Sequence, residues 1–249
     1  MQQRSPVLPA LGLLSALLLA GCNGTTSLPP VVLPDPVAMP FPAPVAPRTV
    51  LTGVQLKVAA DATWTPNGET VYALALGQTG RHLAGQASLD ASGQVVFELP
   101  MEANLAAALT TVDTTQPAGP GCTFAQLASS SGYDVPSFRT ASLLFSAKTT
   151  SSTSGYRLLQ DADLNAGVTH GLIYVDRDVR AVNTLHCVAN GRTDDTMLDL
   201  DLLKGWNLTT TTDTSSGSVY THTIKAVPAT SGTASLILTG SVETQAPTP

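Results

Sequence analysis

The chain has 249 residues, and its 12 Lys and Arg against 18 Asp and Glu give a formal net charge of -6. An acidic surface repels nucleic acid, so we expect no nucleic-acid partner. Only 12% of the residues are charged, while Thr, Ser, Gly and Ala abound. This composition is typical of β structure outside the cytoplasm rather than of a cytosolic enzyme.

The N-terminus has the pattern of a bacterial export signal. Arg4 supplies a positive charge, and residues 7–20 form an apolar run that is short for a membrane-spanning anchor. The run ends in Leu19-Ala20-Gly21-Cys22, which resembles the lipobox of bacterial lipoproteins. The resemblance implies that residues 1–21 are a signal peptide and that Cys22 carries fatty acyl chains, which anchor the mature protein in the membrane. The alternative is an ordinary secretory signal whose cleavage site contains a cysteine.

Residues 22–48 are predicted to be a lipidated tether. Proline fixes φ and lacks a backbone donor, so the eight prolines of this stretch favour an extended spacer. Position 23 is Asn, whereas Asp there often marks retention at the inner membrane of diderm bacteria. The predicted location is therefore the bacterial cell envelope outside the cytoplasm, and the outer membrane is favoured.

The remaining chain has the alternating pattern of β-strands. Hydrophobic residues recur at every second position from Val50 onward, with Gly, Ser and Thr clusters between the runs. We therefore predict an all-β fold, an antiparallel β-sandwich of one large or two tightly packed units. The expected units are residues 49–112 and 121–244, and residues 245–249 are expected to be a frayed tail.

Two local patterns are more specific. Asp90-Ala91-Ser92-Gly93 has Asp first and Gly fourth, as a type I turn prefers, and predicts a hairpin between the strands that flank it. Residues 101–109 are rich in Ala and Leu and form the one stretch that the sequence predicts as helical.

Two cysteines remain once Cys22 is acylated, namely Cys122 and Cys187. In an oxidising compartment an isolated pair is most simply a disulfide. A loop of this length, about 65 residues, would gain roughly 4 kcal/mol on the chain-entropy account. Two free buried thiols are the alternative, and the lack of C-x-x-C spacing disfavours metal binding.

Two further resemblances concern the folded part. Leu51-Thr52-Gly53-Val54, followed by the ending Gly93-Gln94-Val95-Val96-Phe97-Glu98-Leu99-Pro100, resembles small β domains of the prealbumin-like or carboxypeptidase-regulatory type. The phrases Tyr174-Val175-Asp176-Arg177-Asp178-Val179 and Lys204-Gly205-Trp206-Asn207 are similar to uncharacterised secreted lipoproteins of extremophilic bacteria. Neither resemblance implies an activity.

The histidines are the first candidates for a metal site. Secreted copper-containing superoxide dismutases are β-sandwiches with several histidine ligands and a disulfide, and this chain resembles them in those features. Their H-x-H pair is absent, however, and no histidine here lies within ten residues of another. We interpret the histidines as structural and keep a copper or zinc site as the alternative; they are His82, His170, His186 and His222.

A calcium loop is the second candidate. Asp161, Asp163 and Asn165 offer oxygen ligands at alternate positions, as calcium loops do. Gly167 stands one place later than in an EF-hand, and Leu172 occupies the position of the bidentate Glu. An Asx-rich turn is therefore the favoured interpretation, and a weak calcium site is the alternative.

Acidic pairs could serve acid–base catalysis. Asp176 and Asp178 are predicted to share a face of one strand over residues 174–180, which we interpret as part of a cross-strand salt-bridge ladder. Asp199 and Asp201 are predicted to form the polar face of a half-buried strand, and residues 194–195 a turn. Nucleophilic motifs such as G-x-S-x-G, S-x-x-K and H-E-x-x-H are absent from the sequence.

The sequence therefore predicts a non-enzymatic, membrane-anchored lipoprotein that docks on another envelope protein or on a surface polymer. The membrane is a partner through the lipid anchor, and no cofactor is required. The alternative is a secreted metal-binding enzyme of the copper-dependent superoxide dismutase type, which would use the dispersed histidines.

Overall fold

A computed structural model describes most of the chain after the predicted tether. The described residues are 48–60, 64–77, 80–125, 132–149, 155–161 and 167–242. The predicted signal peptide, Cys22, the tether up to residue 47, Asp163, Asn165 and the tail lie outside them. The described chain is almost entirely strand, so the all-β prediction is confirmed.

Fourteen strands join in a single mixed sheet. Their bounds are β1 Gly53–Ala59, β2 Thr70–Gly77, β3 Gly80–Ser88, β4 Gln94–Glu98, β5 Thr110–Asp113, β6 Cys122–Phe124, β7 Ser137–Lys148, β8 Tyr156–Asp161, β9 Val168–Val175, β10 Val179–Ala189, β11 Arg192–Leu202, β12 Gly205–Ser216, β13 Val219–Val227 and β14 Thr233–Val242.

Strand β7 organises the sheet. Its N-terminal half pairs with β5 on one side and β9 on the other, and its C-terminal half pairs with β2 and β8. From β7 the sheet extends one way through β8, β14, β1 and β4, and the other way through β9, β12, β13, β11, β10 and β6. Strand β3 pairs with β2.

The sheet is mainly antiparallel, as predicted, and it is mixed because two of its strand pairs are parallel. Strand β1 runs parallel to β14, and β11 runs parallel to β13. Hydrophobic alternation shows which side chains face a core but carries no information about strand direction. Both predicted units contribute to the same sheet, because β1 pairs with β14 and β2 pairs with β7. The sandwich architecture stays a prediction.

Two hydrophobic cores lie on opposite faces of β9. Leu172 and Tyr174 of β9 belong to the first and larger core, together with β1, β2, β4, β7, β8 and β14. The ring of Phe97 on β4 lies 5.6 Å from that of Phe145 on β7, so the strands around this core curl back on themselves. The second core contains Phe138, Ile173, Val175, Val179, Ala181, Leu200 and Leu202.

The turn at Asp90 forms, but the hairpin predicted around it does not. The carboxylate of Asp90 accepts hydrogen bonds from the backbone N–H groups of Ser92 at 2.8 Å and Gln94 at 2.9 Å. The Gly93 carbonyl then accepts from the Val58 N–H at 2.8 Å, which leads the chain to β1. In the described structure β4 therefore pairs with β1, while β3 pairs with β2.

The stretch predicted as helical forms a single 3-10 turn, Glu102–Leu105, before a further turn. Met101 at its N-terminus makes no capping hydrogen bond through its side chain. Nine residues without a cap are too few to hold an α-helix. Leu105 is nevertheless fully buried in the first core, so the segment is fixed by packing.

Two other local predictions were wrong. Asp194 and Asp195 lie inside β11, and the turn before them is Asn190-Gly191, with a positive φ at both residues. Asn-Gly is the preferred pair for a two-residue hairpin, and this pair outweighs the adjacent aspartates. Strand β9 ends at Val175 and β10 begins at Val179, so residues 176–178 form a turn instead of one continuous strand.

The predicted disulfide between Cys122 and Cys187 is present. The two residues lie directly opposite each other on β6 and β10, and the bond holds the short edge strand β6 against the end of the sheet.

Candidate functional site

The structure does not bring the histidines together. Three of them contact a different aspartate each, and the fourth, His82, lies on β3. Among the described residues no group of three or more His, Cys, Asp and Glu could hold a metal ion. The pairs, with the distance from the imidazole Nδ1 to the nearest carboxylate oxygen, are His170–Asp161 at 2.5 Å, His186–Asp195 at 2.6 Å and His222–Asp213 at 2.8 Å.

Two of these pairs are cross-strand neighbours. His186 on β10 lies opposite Asp195 on β11, and His222 on β13 lies opposite Asp213 on β12. Pairs in this position stabilise the strand register.

Asp161 ends β8, and its buried carboxylate faces His170. Besides the imidazole contact, it accepts a hydrogen bond from the His170 backbone N–H at 2.7 Å. Asp163 and Asn165, the other two residues of the predicted calcium loop, lie outside the described residues.

Asp176 and Asp178 point to different partners and do not form a carboxylate pair. Asp176 accepts hydrogen bonds from the backbone N–H of Arg139 at 2.8 Å and from its Nε at 3.0 Å. Asp178 accepts from the backbone N–H of Lys204 at 2.7 Å. Burial alone would raise the pKa of Asp176, but the hydrogen bonds from Arg139 and Arg177 outweigh it and lower the pKa below its ordinary value of 3.8.

A polar network joins the 3-10 turn to the sheet. The Tyr174 hydroxyl donates to Glu102 Oε2 at 2.9 Å, and the Arg139 guanidinium contacts Glu102 Oε1 at 2.5 Å as well as Asp176. Burial and the hydrogen bond to Glu102 raise the pKa of Tyr174 to about 12. Tyr174 therefore keeps its proton near neutral pH and donates it in the hydrogen bond to Glu102.

Beside this network lies a cavity of about 470 Å³, which we call the junction recess. Trp206 and Tyr174 form its floor, with ring centroids 5.6 Å apart in an edge-to-face arrangement. Met101 and Glu98 stand at its rim, and both are exposed. The lining residues are Val50, Leu51, Thr52, Glu98, Leu99, Pro100, Met101, Glu102, Tyr174, Gly205 and Trp206.

A second surface is the broad face of β12, β13, β11 and β10 that points away from the second core. The strand register places its side chains in rows, such as Thr184, Met197, Thr223 and Thr212 across four strands. We call it the threonine face. It contains Thr184, His186, Val188, Thr193, Asp195, Met197, Asp199, Thr210, Thr212, Thr214, Val219, Thr221, Thr223 and Lys225.

The threonine face is open to solvent. Among the described residues, three of the seven exposed large hydrophobic side chains lie on it, namely Val188 at 50%, Met197 at 44% and Val219 at 39% exposure. The predicted polar face at Asp199 and Asp201 is part of this side of the sheet and is confirmed, because both alternate with buried leucines.

Sequence reasoning missed both surfaces. The recess combines residues about a hundred positions apart, such as Glu102 and Trp206, and has no local motif. The cluster of Thr, Ser and Gly at residues 209–217 predicts a loop between strands, and this prediction was wrong, because residues 209–216 lie within β12. Which of its threonines face solvent depends on how β12 pairs with its neighbours.

No family model, no curated protein and no solved structure matches this chain. None of the helical segments in the described part of the chain is long and apolar enough to cross a membrane. The lipid anchor, the location and the partner predicted from the sequence therefore stay predictions.

Proposed function

We propose that the protein is a lipid-anchored, non-enzymatic protein of the bacterial cell envelope whose threonine face binds a surface polysaccharide. The observation that supports this most is the face itself, which is broad, partly exposed and rich in hydroxyl groups. Neighbouring strands lie about 4.8 Å apart and alternate residues about 6.8 Å apart. Four strands thus offer regular rows of side chains over roughly 14 Å across the strands and roughly 20 Å along them.

The chemistry of the face favours a hydroxyl-rich polymer over a folded protein partner. Protein interfaces draw most of their affinity from buried Trp, Tyr and Arg side chains. The threonine face has no Trp or Tyr and carries Arg180 only at its end, beside Asp201. Its acidic Asp195 and Asp199 lie opposite His186 and Lys225. Its hydroxyls can donate hydrogen bonds to the hydroxyl and amide groups of a neutral polysaccharide and accept hydrogen bonds from them, and its carboxylates can accept hydrogen bonds from the same groups.

The predicted lipid anchor would hold the threonine face close to the polysaccharide of the cell envelope. At about 3.1 Å per residue, a polyproline tether from Cys22 would reach roughly 80 Å. The described chain begins beside the threonine face, because the Arg48 guanidinium contacts the Asp201 carboxylate at 2.7 Å. A tethered face meets its ligand at high effective concentration, so modest affinity at each contact is sufficient.

Co-sedimentation of the full-length protein with isolated, insoluble cell-wall polysaccharide tests the proposal. The variant Thr212→Lys/Thr214→Lys changes two exposed residues of β12, and we expect it to bind about tenfold more weakly, equivalent to about 1.4 kcal/mol. The matched control is Ser235→Lys/Ile237→Lys, which places the same charges at the same spacing on exposed positions of β14. Equal binding by both variants, or no sedimentation of the wild type, would contradict the proposal.

The anchor is tested separately at Cys22. The Cys22→Ser variant should accumulate as an unprocessed or a soluble form, because the acyl chains that hold the protein on the membrane are missing. Membrane fractionation with mass analysis of the N-terminus makes the measurement. A correctly processed Cys22→Ser protein that still partitions into the membrane would refute the anchor.

A further inference from the structure

We propose that the junction recess binds a small aliphatic amine, that is, a ligand with an ammonium group on an apolar chain. The recess is a different surface from the threonine face, and its occupancy can be tested independently of the polysaccharide proposal.

The size and walls of the recess suit a small ligand with an apolar body. Its volume of about 470 Å³ falls within the roughly 300–1,000 Å³ typical of small-molecule sites. Leu51, Leu99 and Pro100 form apolar walls around the aromatic floor, and Met101 is 74% exposed at the rim. An aliphatic chain removes apolar surface from water mainly at Met101, since Leu51, Leu99 and Trp206 are only 2%, 8% and 3% exposed, and this removal favours binding.

The floor is held in place before any ligand arrives. Trp206 Nε1 donates to the Pro100 carbonyl at 2.8 Å, and the Tyr174 hydroxyl donates to Glu102. The backbone N–H of Leu51 donates to the Trp206 carbonyl at 3.1 Å. A preorganised site loses little conformational freedom on binding, so a small ligand can bind without reshaping the protein.

The charges of the recess select a cation. Glu98 and Glu102 line it, and no Lys, Arg or His does. Arg139 neutralises part of the charge of Glu102 from outside the recess, while Glu98 adds a second carboxylate at the rim. An ammonium group beside Glu98 gains a favourable charge interaction, whereas a carboxylate ligand is repelled.

Three ligands with the same chain and different head groups test the inference. Pentylamine, pentanol and pentanoate are titrated calorimetrically into the full-length protein in lipid nanodiscs, with empty nanodiscs as the blank. We expect pentylamine to bind more tightly than pentanol, and pentanoate not to bind. Equal affinity for pentylamine and pentanol, or no binding of pentylamine, would overturn the proposal.

Two variants locate the site. Glu98→Gln should weaken pentylamine binding about fivefold, which is the upper range of the effect expected for one exposed charge pair. Met101→Lys should abolish pentylamine binding, because it places a cation at the rim.

Two control variants make the same kinds of change at exposed positions away from the recess, namely Asp199→Asn and Ile237→Lys. Both should bind pentylamine like the wild type. Unchanged binding by Glu98→Gln and Met101→Lys, or an equal loss in the two controls, would refute the site. The polysaccharide assay on the same variants shows separately whether the threonine face is active.

Discussion

The strands on either side of β9 use their two faces differently. Around the first core the sheet curls, so that Phe97 of β4 meets Phe145 of β7 and the inner side chains are covered. The strands around the second core pack one of their faces on Phe138 and Ile173. The opposite face of these strands is the threonine face. The first region is built for burial, whereas the second presents a wide surface to solvent.

This difference shows that β propensity and burial are separate requirements. Threonine favours strands because it is β-branched, and it does so without needing an apolar environment. In the second region the register is also supported by polar cross-strand pairs, such as His186 with Asp195. A sheet can therefore keep its strand order while one face stays polar and available for binding.

Removing the disulfide should have the largest effect, because it closes a long loop at the outer edge of the second region. The variant Cys122→Ala/Cys187→Ala is expected to lose about 4 kcal/mol of unfolding free energy on the chain-entropy account. Urea unfolding of the wild type and the variant, with and without reductant, makes the measurement. A reductant that destabilises the wild type no more than the variant would show that the bond does not support the fold.

Core truncations compare the two regions directly. Leu56 in the first core is 0% exposed and Leu202 in the second core is 1% exposed, so each loses a fully buried side chain on substitution by Ala. We expect about 3 kcal/mol of destabilisation, with the larger loss at Leu56, whose surroundings are covered more completely. Urea midpoints give the comparison, and a larger loss for Leu202→Ala would contradict the more complete packing that we expect around Leu56.

The ion pair between Arg139 and Asp176 predicts a pH dependence. The folded-state pKa of Asp176 is lowered, so its contribution to stability is present at neutral pH and is lost as the pH falls through that lowered pKa. Asp176→Asn should be about 1 kcal/mol less stable than the wild type at pH 7, and the difference should shrink below about pH 4. Asp199→Asn is the exposed control. A difference for Asp176→Asn that is constant down to pH 2 would contradict the role of the carboxylate.

The smallest effect is expected on the threonine face itself. Thr212 is exposed, and Thr212→Val keeps the β-branched shape, so the unfolding free energy should change by less than about 0.5 kcal/mol. Thermal unfolding of the variant provides the test. A loss above 1 kcal/mol would mean that the hydroxyl makes a contact within the fold and that the face is not free for a ligand.

The features that the sequence predicts correctly depend on local pattern or on simple counting. The alternation of hydrophobic and polar residues predicts the all-β class and the polar side of β11 at Asp199. The two cysteines that remain after acylation of Cys22 predict the disulfide, because a pair of cysteines in an oxidising compartment usually forms one. These inferences hold because side-chain direction in a strand is fixed by position.

The features that failed depend on which strand pairs with which. The sequence predicts the turn at Asp90 correctly. The two strands that flank this turn do not pair with each other, because β4 pairs with β1 and β3 pairs with β2. Two consecutive aspartates such as Asp194 and Asp195 are typical of a turn, but the neighbouring pair Asn190-Gly191 forms the turn instead. The junction recess needs Glu102 and Trp206 side by side, and no local signal joins positions so far apart.

Oxidation footprinting at methionine tests the central claim most directly, because the two surfaces carry one exposed methionine each. Met197 lies on the threonine face and Met101 at the rim of the junction recess. The full-length protein is treated with a mild oxidant, with and without cell-wall polysaccharide, and the sulfoxide at each position is quantified by mass spectrometry. We predict that the polysaccharide slows oxidation of Met197 and leaves Met101 unchanged. Protection of Met101 alone, or of neither residue, would contradict binding through the threonine face.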